Sequence, residues 1–318
     1  MTRSPRSTHL RTDYLRGDYL PRGQPANGRH TDGRGGRYTD PAQPGPPPAR
    51  PRGRPPRPGP PPSTGGARCA SQLEVAGCRY RFRLLNGSNA RRYRLRLDVE
   101  GGGHGRFVQI GSDGGLLPAP QRHDALDIAP GERFDVVVDF GDHPVGSRVT
   151  LRNTAAGGRM RDVMRFHVAR KAKDTSRVPD RLSTRYEDLA PATGVPVRTF
   201  GFRRTPAGED RRMWTINGKP FHPDTVLARP RLGSVERWRF SSDFHHPVHV
   251  HLARFQVTAR GGRPAEPKDA GWKDTVDVRP YETVETLVRF TGYRGRYMIH
   301  CHNLEHEDMA MMANIQIT

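Results

Sequence analysis

LEVAGCRYRFRLLNGSNARRYRLRLDVEGG, residues 73–102, alternates tyrosine, phenylalanine and leucine with arginine, first in YRFRLL and again in YRLRLDV. A period of two is what a half-buried strand requires, because successive side chains leave an extended backbone on opposite sides. Asn86-Gly87 between the two runs reads as a turn. The pattern continues outward through FVQIGSDGGLL, DALDIAPGERFDVVVDF and RVTLRN, each bounded by glycine, proline or aspartate, to about Val168. A charged stretch rich in loop formers follows, and then a second set of strands: RTFGFRR, MWTINGKP, SVERWRFSS, VHVHLARFQVTA, ETVETLVRF, GRYMIHCH and ANIQIT. The chain is therefore predicted to be all-β, with two Greek-key β-sandwich domains at 73–170 and 197–318 joined by a linker at 171–196. No helix is expected beyond short turns near residues 304–308.

Upstream, residues 1–72 hold fifteen of the thirty prolines and thirteen arginines against four aspartates, without apolar periodicity. Such a tract cannot bury enough surface to offset its ordering and is expected to be a disordered basic tail. Its PRGRP pentamer, 51–55, is shaped like a minor-groove arginine hook, and the net charge of +20 raises a nucleic-acid-binding alternative through the tail. Only five of the 53 basic residues are lysines, a bias that points to GC-rich coding more than to a ligand. No apolar run approaches the roughly 18 residues of a membrane helix, and the first twenty residues lack an apolar signal core. The expectation is no membrane span and a cytoplasmic location. Three cysteines, Cys69, Cys78 and Cys301, are too few for a disulfide scaffold, and Cys69 and Cys78 are read as unpaired thiols.

Seven of the fourteen histidines fall in two short runs, HHPVHVHL at 245–252 and HCHNLEHEDMAMM at 300–312. In an extended GRYMIHCHN, His300 and His302 project one way and Cys301 the other. In HPVHVH, His249 and His251 share a face and His246 falls opposite. Side by side, two such strands carry four imidazoles on one face and a cysteine with a histidine on the other, which makes two metal sites back to back. The spacing Cys301-x4-His306-x4-Met311 completes the second site with a thiolate, an imidazole and a thioether. Two histidines and a cysteine with a weak axial methionine form a blue-copper electron-transfer site. Structural zinc would instead need repeated Cys-x2-Cys pairs, which the sequence lacks.

These two runs resemble the copper signatures of the multicopper oxidase family, in particular its bacterial laccase, spore-coat and bilirubin-oxidase-like branch, and GWKDTV at 271–276 is similar to the same branch. YRFRLLNGSNARRYRLRL, QIGSDGGLL and APGERFDVVVDF resemble its middle domain, so the likeness covers 73–318. It implies two cupredoxin-like domains, the first without copper ligands. It also implies a laccase-like oxidoreductase that takes electrons from phenolic, aromatic or metal-ion reductants at a blue copper and passes them to a trinuclear copper cluster reducing O2 to water. By the same resemblance His246, Cys301 and His306 hold the blue copper with Met311 axial. His249 binds the mononuclear member of the cluster, and His251, His300 and His302 bind its coupled pair. Glu307 matches a carboxylate that delivers protons.

The family cluster uses eight histidines, and this sequence offers four, with no further His-x-His pair. The expectation is a chain truncated or frame-shifted ahead of residue 73, or a second polypeptide that donates the missing ligands. Either would leave an apolar face of the first sandwich uncovered. A non-catalytic blue-copper electron-transfer fragment is the alternative. His245 is read as a surface loop residue, Met309 and Met312 as core packing, and Asp113 as a turn former. Trp272 is read as a cover of the copper region or a core side chain, and Asp274 as an orienting partner of a ligand or a strand-start hydrogen-bonder.

Overall fold

The computed structural model describes residues 71–190, 194–206 and 212–318. The tail expected over 1–72, with PRGRP and Cys69, lies outside these residues except for Ser71 and Gln72. Those two belong to the strand Ser71–Gly77, which starts earlier than expected because it finds a parallel partner in Asp162–Lys171.

In the first sandwich one sheet runs from Ser71–Gly77 through Asp162–Lys171 and Arg148–Asn153 to Tyr93–Val99, which also pairs with His104–Gly105 and Ala125–Ile128. The facing sheet orders Arg79–Leu85, Arg133–Asp139, Phe107–Ser112 and Gly115–His123. The arginine/aromatic alternation behaves as its period demands. Phe82, Phe134, Val136 and Val138 enter the core, while Arg79 and Arg81 stay outside and pair with Asp139 and Asp135 on the neighbouring strand. The expected uncovered apolar face is not seen. Among the described residues of this domain, the large apolar side chains left exposed are Leu85, Leu116 and Val145, on separate segments. Asn86-Gly87 does not close a hairpin: the strands on either side lie in different sheets, and the chain crosses between them. Buried Asn86 fixes that crossing, with its amide donating to the carbonyls of Arg91 and Ile128.

The second sandwich packs a sheet of Arg212–Ile216, Val197–Pro206, Val235–Ser242, Thr283–Arg289, Arg254–Arg260 and Arg263–Pro264 against one of Val226–Ala228, Met312–Ile317, Gly295–Cys301, His246–Val250 and Thr275–Val278. Phe200, Trp238, Phe240, Phe255 and Phe290 fill the space between. VHVHLARFQVTA, expected as one strand, is two strands in opposite sheets; the chain turns at Leu252, which adopts φ 64°. Parallel pairs, such as Val197–Pro206 with Val235–Ser242, occur beside the antiparallel ones, because the crossover brings sequence-distant strands side by side.

Between the sandwiches the described linker has no strand beyond Lys171, and hydrogen bonds tie it to both domains. Asp174 accepts from the Arg79 amide at 2.8 Å, Leu182 N donates to Pro118 O at 2.9 Å, and Leu189 N donates to Gln256 Oε1 at 2.8 Å. The domains also meet through buried charge. Lys273 Nζ lies 3.2 Å from Asp113 and 3.3 Å from Glu132, all three essentially without solvent. Asp113 is thus an interdomain ion-pair partner, beyond the turn former that its GSDGG setting suggests. Burial opposes the Lys273 charge, but Asp113 and Glu132 outweigh it and raise its pKa, whereas burial raises that of Glu132. The direction at Lys273 governs, since two carboxylates flank the ammonium and one ionised partner suffices. Arg92 grips Asp277 with three contacts of 2.8–3.0 Å, and His245 completes the group at 3.3 Å from Asp277.

Candidate metal centre

His246–Val250 and Gly295–Cys301 are antiparallel neighbours, with Val248 opposite Cys301 and His249 opposite His300. The pleat does the sorting: His246, Val248, Val250 and Cys301 turn into the sandwich, and His249, His251 and His300 turn to the other side.

On the inner side His246 Nδ1 lies 3.4 Å and His306 Nδ1 3.6 Å from Cys301 Sγ, with 3.1 Å between the two nitrogens. A point equidistant from all three is about 2 Å from each, the length of a metal–imidazole bond. The second nitrogen of His246, Nε2, reaches Asp243 at 3.2 Å, and the Asn303 amide donates to the sulfur at 3.4 Å. His306 is carried by the short helix Leu304–Asp308, capped by the Asn303 side chain. Ala310, in the left-handed region at φ 62°, then reverses the chain, and Met311 is fully buried in the same core cluster as Cys301. Met309, expected to pack, is instead 54% exposed, because the helix end carries it past the sandwich edge; Met312 begins the last strand and is half-buried. Trp214 stacks on His306 with ring centroids 3.8 Å apart and meets His246 edge-on at 5.6 Å. Trp214 and Asp243 were not legible in the sequence, since neither stands in the spacing of the histidine and cysteine runs.

On the outer side His249, His251 and His300 form a second group that could hold an ion. His251 Nε2 faces His300 Nε2 at 2.9 Å, while His300 Nδ1 lies 3.2 Å from the Cys301 carbonyl and 3.5 Å from a Glu307 carboxylate oxygen. His302 flanks the trio, its ring centred 5.8 Å from His249 and 5.7 Å from His300. His249 Nδ1 meets the Asp274 carbonyl and Thr275 Oγ1, each at 3.0 Å, with the Asp274 carboxylate at 3.5 Å. Burial opposes ionisation of Asp274, but His249 and Arg133 hold its carboxyl well below the usual range. His245 stays outside both groups, half-exposed against Asp277. Trp272 is half-buried at the domain contact, where its carbonyl accepts from Gly114 N and Ser112 Oγ.

The electrostatics suit a soft cation. Burial, then neighbouring imidazoles, push His300 down to about 3 and His306 down to about 4, and burial lowers His246 and His251 as well, so these rings keep a free lone pair. Burial pushes the Cys301 thiol up to about 12. An ion bound there must therefore displace the thiol proton, which a thiolate-seeking metal does. A thiol with two neutral imidazoles and a buried thioether nearby fits copper, and the outer trio offers nitrogen donors only.

Two family models, both described as multicopper oxidase, match residues 52–168 and 200–318. The laccase of Bacillus subtilis (strain 168) is 34% identical over 273 residues, covering 77% of this chain and 52% of that protein. Bilirubin oxidase of Albifimbria verrucaria is 37% identical over 266 residues, covering 76% of this chain and 45% of that protein. The crystal structure of McoA multicopper oxidase from Aquifex aeolicus superposes with a TM-score of 0.68 at 35% identity, over 78% of this chain and 57% of that one. The chain spans about half the length of the curated relatives it matches. Two sandwiches of this kind, a thiol-centred pocket back to back with an imidazole cluster, and these likenesses place the chain in the multicopper oxidase family.

Proposed function

We propose that this chain carries part of a copper-dependent oxidase centre, in which a phenolic, aromatic or metal-ion reductant gives up electrons at the thiolate pocket and the imidazole cluster takes part in reducing dioxygen to water. One observation carries the reading. The pairing of His246–Val250 with Gly295–Cys301 sets Cys301 among two imidazoles on one side, and its peptide neighbours His300 and His302 belong to the other side.

Copper would supply a one-electron couple at the thiolate pocket and electron delivery to oxygen at the cluster. His246, Cys301 and His306 would hold the first ion, with the Met311 thioether buried in the same cluster as a further soft donor, and His249, His251, His300 and His302 would contribute to the second site. Asp243 keeps a proton on Nε2 of His246 and so leaves Nδ1 free toward the sulfur. Trp214 covers one face of the His306 ring. Cys301 is bonded through one peptide link to each of His300 and His302, so a short covalent path joins sulfur to imidazole. Glu307, 30% exposed and 3.5 Å from His300 Nδ1, stands between solvent and the cluster, where a carboxylate can relay protons.

Four imidazoles do not saturate three coppers. The remaining donors are assigned to polypeptide beyond this sequence, whether a longer form of the chain or a separate partner, in keeping with relatives about twice as long. The small number of cluster histidines among the described residues also favours a second reading, an electron-transfer module with only the thiolate site in use. Copper loading separates these readings. An intense thiolate-to-copper band together with nitrogen-bound non-blue copper, and oxygen uptake from a phenolic reductant once the missing donors are supplied, supports the oxidase. A single blue copper without uptake supports the module, and no blue band overturns both.

A further inference from the structure

The first domain carries no ligand, yet three consecutive residues of its APGER segment, 129–133, touch the cluster or its supports. Glu132 N donates to Ala129 O at 3.1 Å, with Pro130 second and Gly131 third at φ 83°, the pattern of a type II turn. A Cβ on Gly131 would stand 2.7 Å from Cδ2 and 2.9 Å from Cγ of the His302 ring, so the bare glycine backbone is the floor on which that imidazole lies. Glu132 pairs with Lys273. Arg133 closes two contacts of 2.6 and 2.7 Å on the Asp274 carboxylate, and its own amide donates to Asp113 Oδ1 at 2.7 Å.

What Arg133 holds decides the state of His249. Thr275 Oγ1 donates its proton to Asp274 Oδ1 at 2.9 Å, which leaves the hydroxyl lone pairs, together with the Asp274 carbonyl, facing His249 Nδ1. Acceptors alone confront that nitrogen, so Nδ1 must carry the hydrogen and Nε2 the lone pair. The geometry points to the turn 129–133 as a positioning element for the imidazole cluster: Gly131 seats His302, and Arg133, through Asp274 and Thr275, locks His249 with Nε2 free for metal. The inference rests on the copper role proposed for that cluster. The opposite pocket takes its donors from the second sandwich, and the first domain meets it at other points, where Asn89 O accepts from Leu304 N at 2.8 Å at the start of the helix that carries His306, and where Arg92 holds Asp277.

The test compares the full chain with Arg133→Gln and Gly131→Ala, and uses Arg92→Gln as a break in the same domain interface away from His249. Nitrogen-15 spectra of histidine-labelled, copper-free protein report the tautomer directly. The wild-type chain should show His249 as the Nδ1–H form, Arg133→Gln should lose that fixed form, and Arg92→Gln should keep it. On titration with Cu(II), the nitrogen-coordinated non-blue signal should need about 10-fold or more additional copper in Arg133→Gln and Gly131→Ala, the usual size of a support-shell loss, with the blue band unchanged. Gly131→Ala also strains the backbone at a positive φ, so Arg133→Gln remains decisive if the glycine variant does not fold. A wild-type tautomer and unchanged cluster affinity in Arg133→Gln would overturn the inference, as would equal losses at both sites in Arg92→Gln. Absence of cluster copper in the wild-type chain would instead refute the cluster's proposed role and leave the tautomer result standing separately.

Discussion

The two sides of the His246–Val250 and Gly295–Cys301 pair are built from the same strands but are supported differently. The inner pocket draws its thiol, both imidazoles, Met311, Trp214 and Asp243 from one sandwich and is closed by that sandwich's core. The outer cluster leans on the first domain, through Gly131 at His302 and Arg133 at Asp274, and remains partly open. The lesson is that alternation along a strand can assign residues to sites, whereas the completeness of each site depends on what the far side of the sheet happens to face.

Several substitutions would break or sharpen this contrast. The largest effect should come from Cys301→Ser, which removes the sulfur of the inner pocket; the intense blue absorption should vanish entirely while nitrogen-bound copper persists. A surviving band would mean that another thiol is the ligand. Next, Lys273→Ala leaves Asp113 and Glu132 buried without their cation, at a cost of about 3–5 kcal/mol in unfolding free energy. The outer cluster should suffer first, seen as loss of non-blue copper at a temperature where the blue band still holds.

Acid should act on both sites in the copper-free chain. The folded-state values of His300, about 3, and His306, about 4, lie below the roughly 6.5 of an unfolded histidine. Between those limits the unfolded chain binds protons that the folded chain refuses, so stability is full above pH 6.5 and is lost as pH falls toward 4 and then 3. Urea midpoints at pH 7.5, 6 and 4.5 should decrease in that order, and bound copper should flatten the trend; a flat profile without copper would contradict the buried, neutral rings. The smallest effect is expected from Trp214→Leu, which removes the stack on His306 and should cost about 0.5–1.5 kcal/mol beyond area effects. Its signature would be a perturbed blue band over an intact cluster.

How much of this could be read from the residues follows the same divide. The sorting of the two histidine runs between the faces was legible because a period of two needs only local sequence, and the arginine/aromatic alternation at 79–85 marked the strand and its inner face for the same reason. The crossing at Asn86-Gly87 was not, because a turn dipeptide does not reveal whether the next strand pairs with the last one or moves to the facing sheet. Thr275–Val278, beside the His246–Val250 strand, alternates in sequence as TVDV but is only four residues long, too short a run to stand out, and all four residues are buried. Met309 was misplaced in the core because a short helix ends before it. Gly131, Arg133 and Lys273 act on partners between about 140 and 170 residues away, a separation at which local pattern carries no information.

X-ray absorption at the copper edge, on the chain loaded with a single equivalent, tests the central claim most directly. The account predicts one short copper–sulfur path accompanied by two imidazole-nitrogen paths, all absent or replaced in Cys301→Ser. A first shell of nitrogen and oxygen alone in the unsubstituted chain would contradict it.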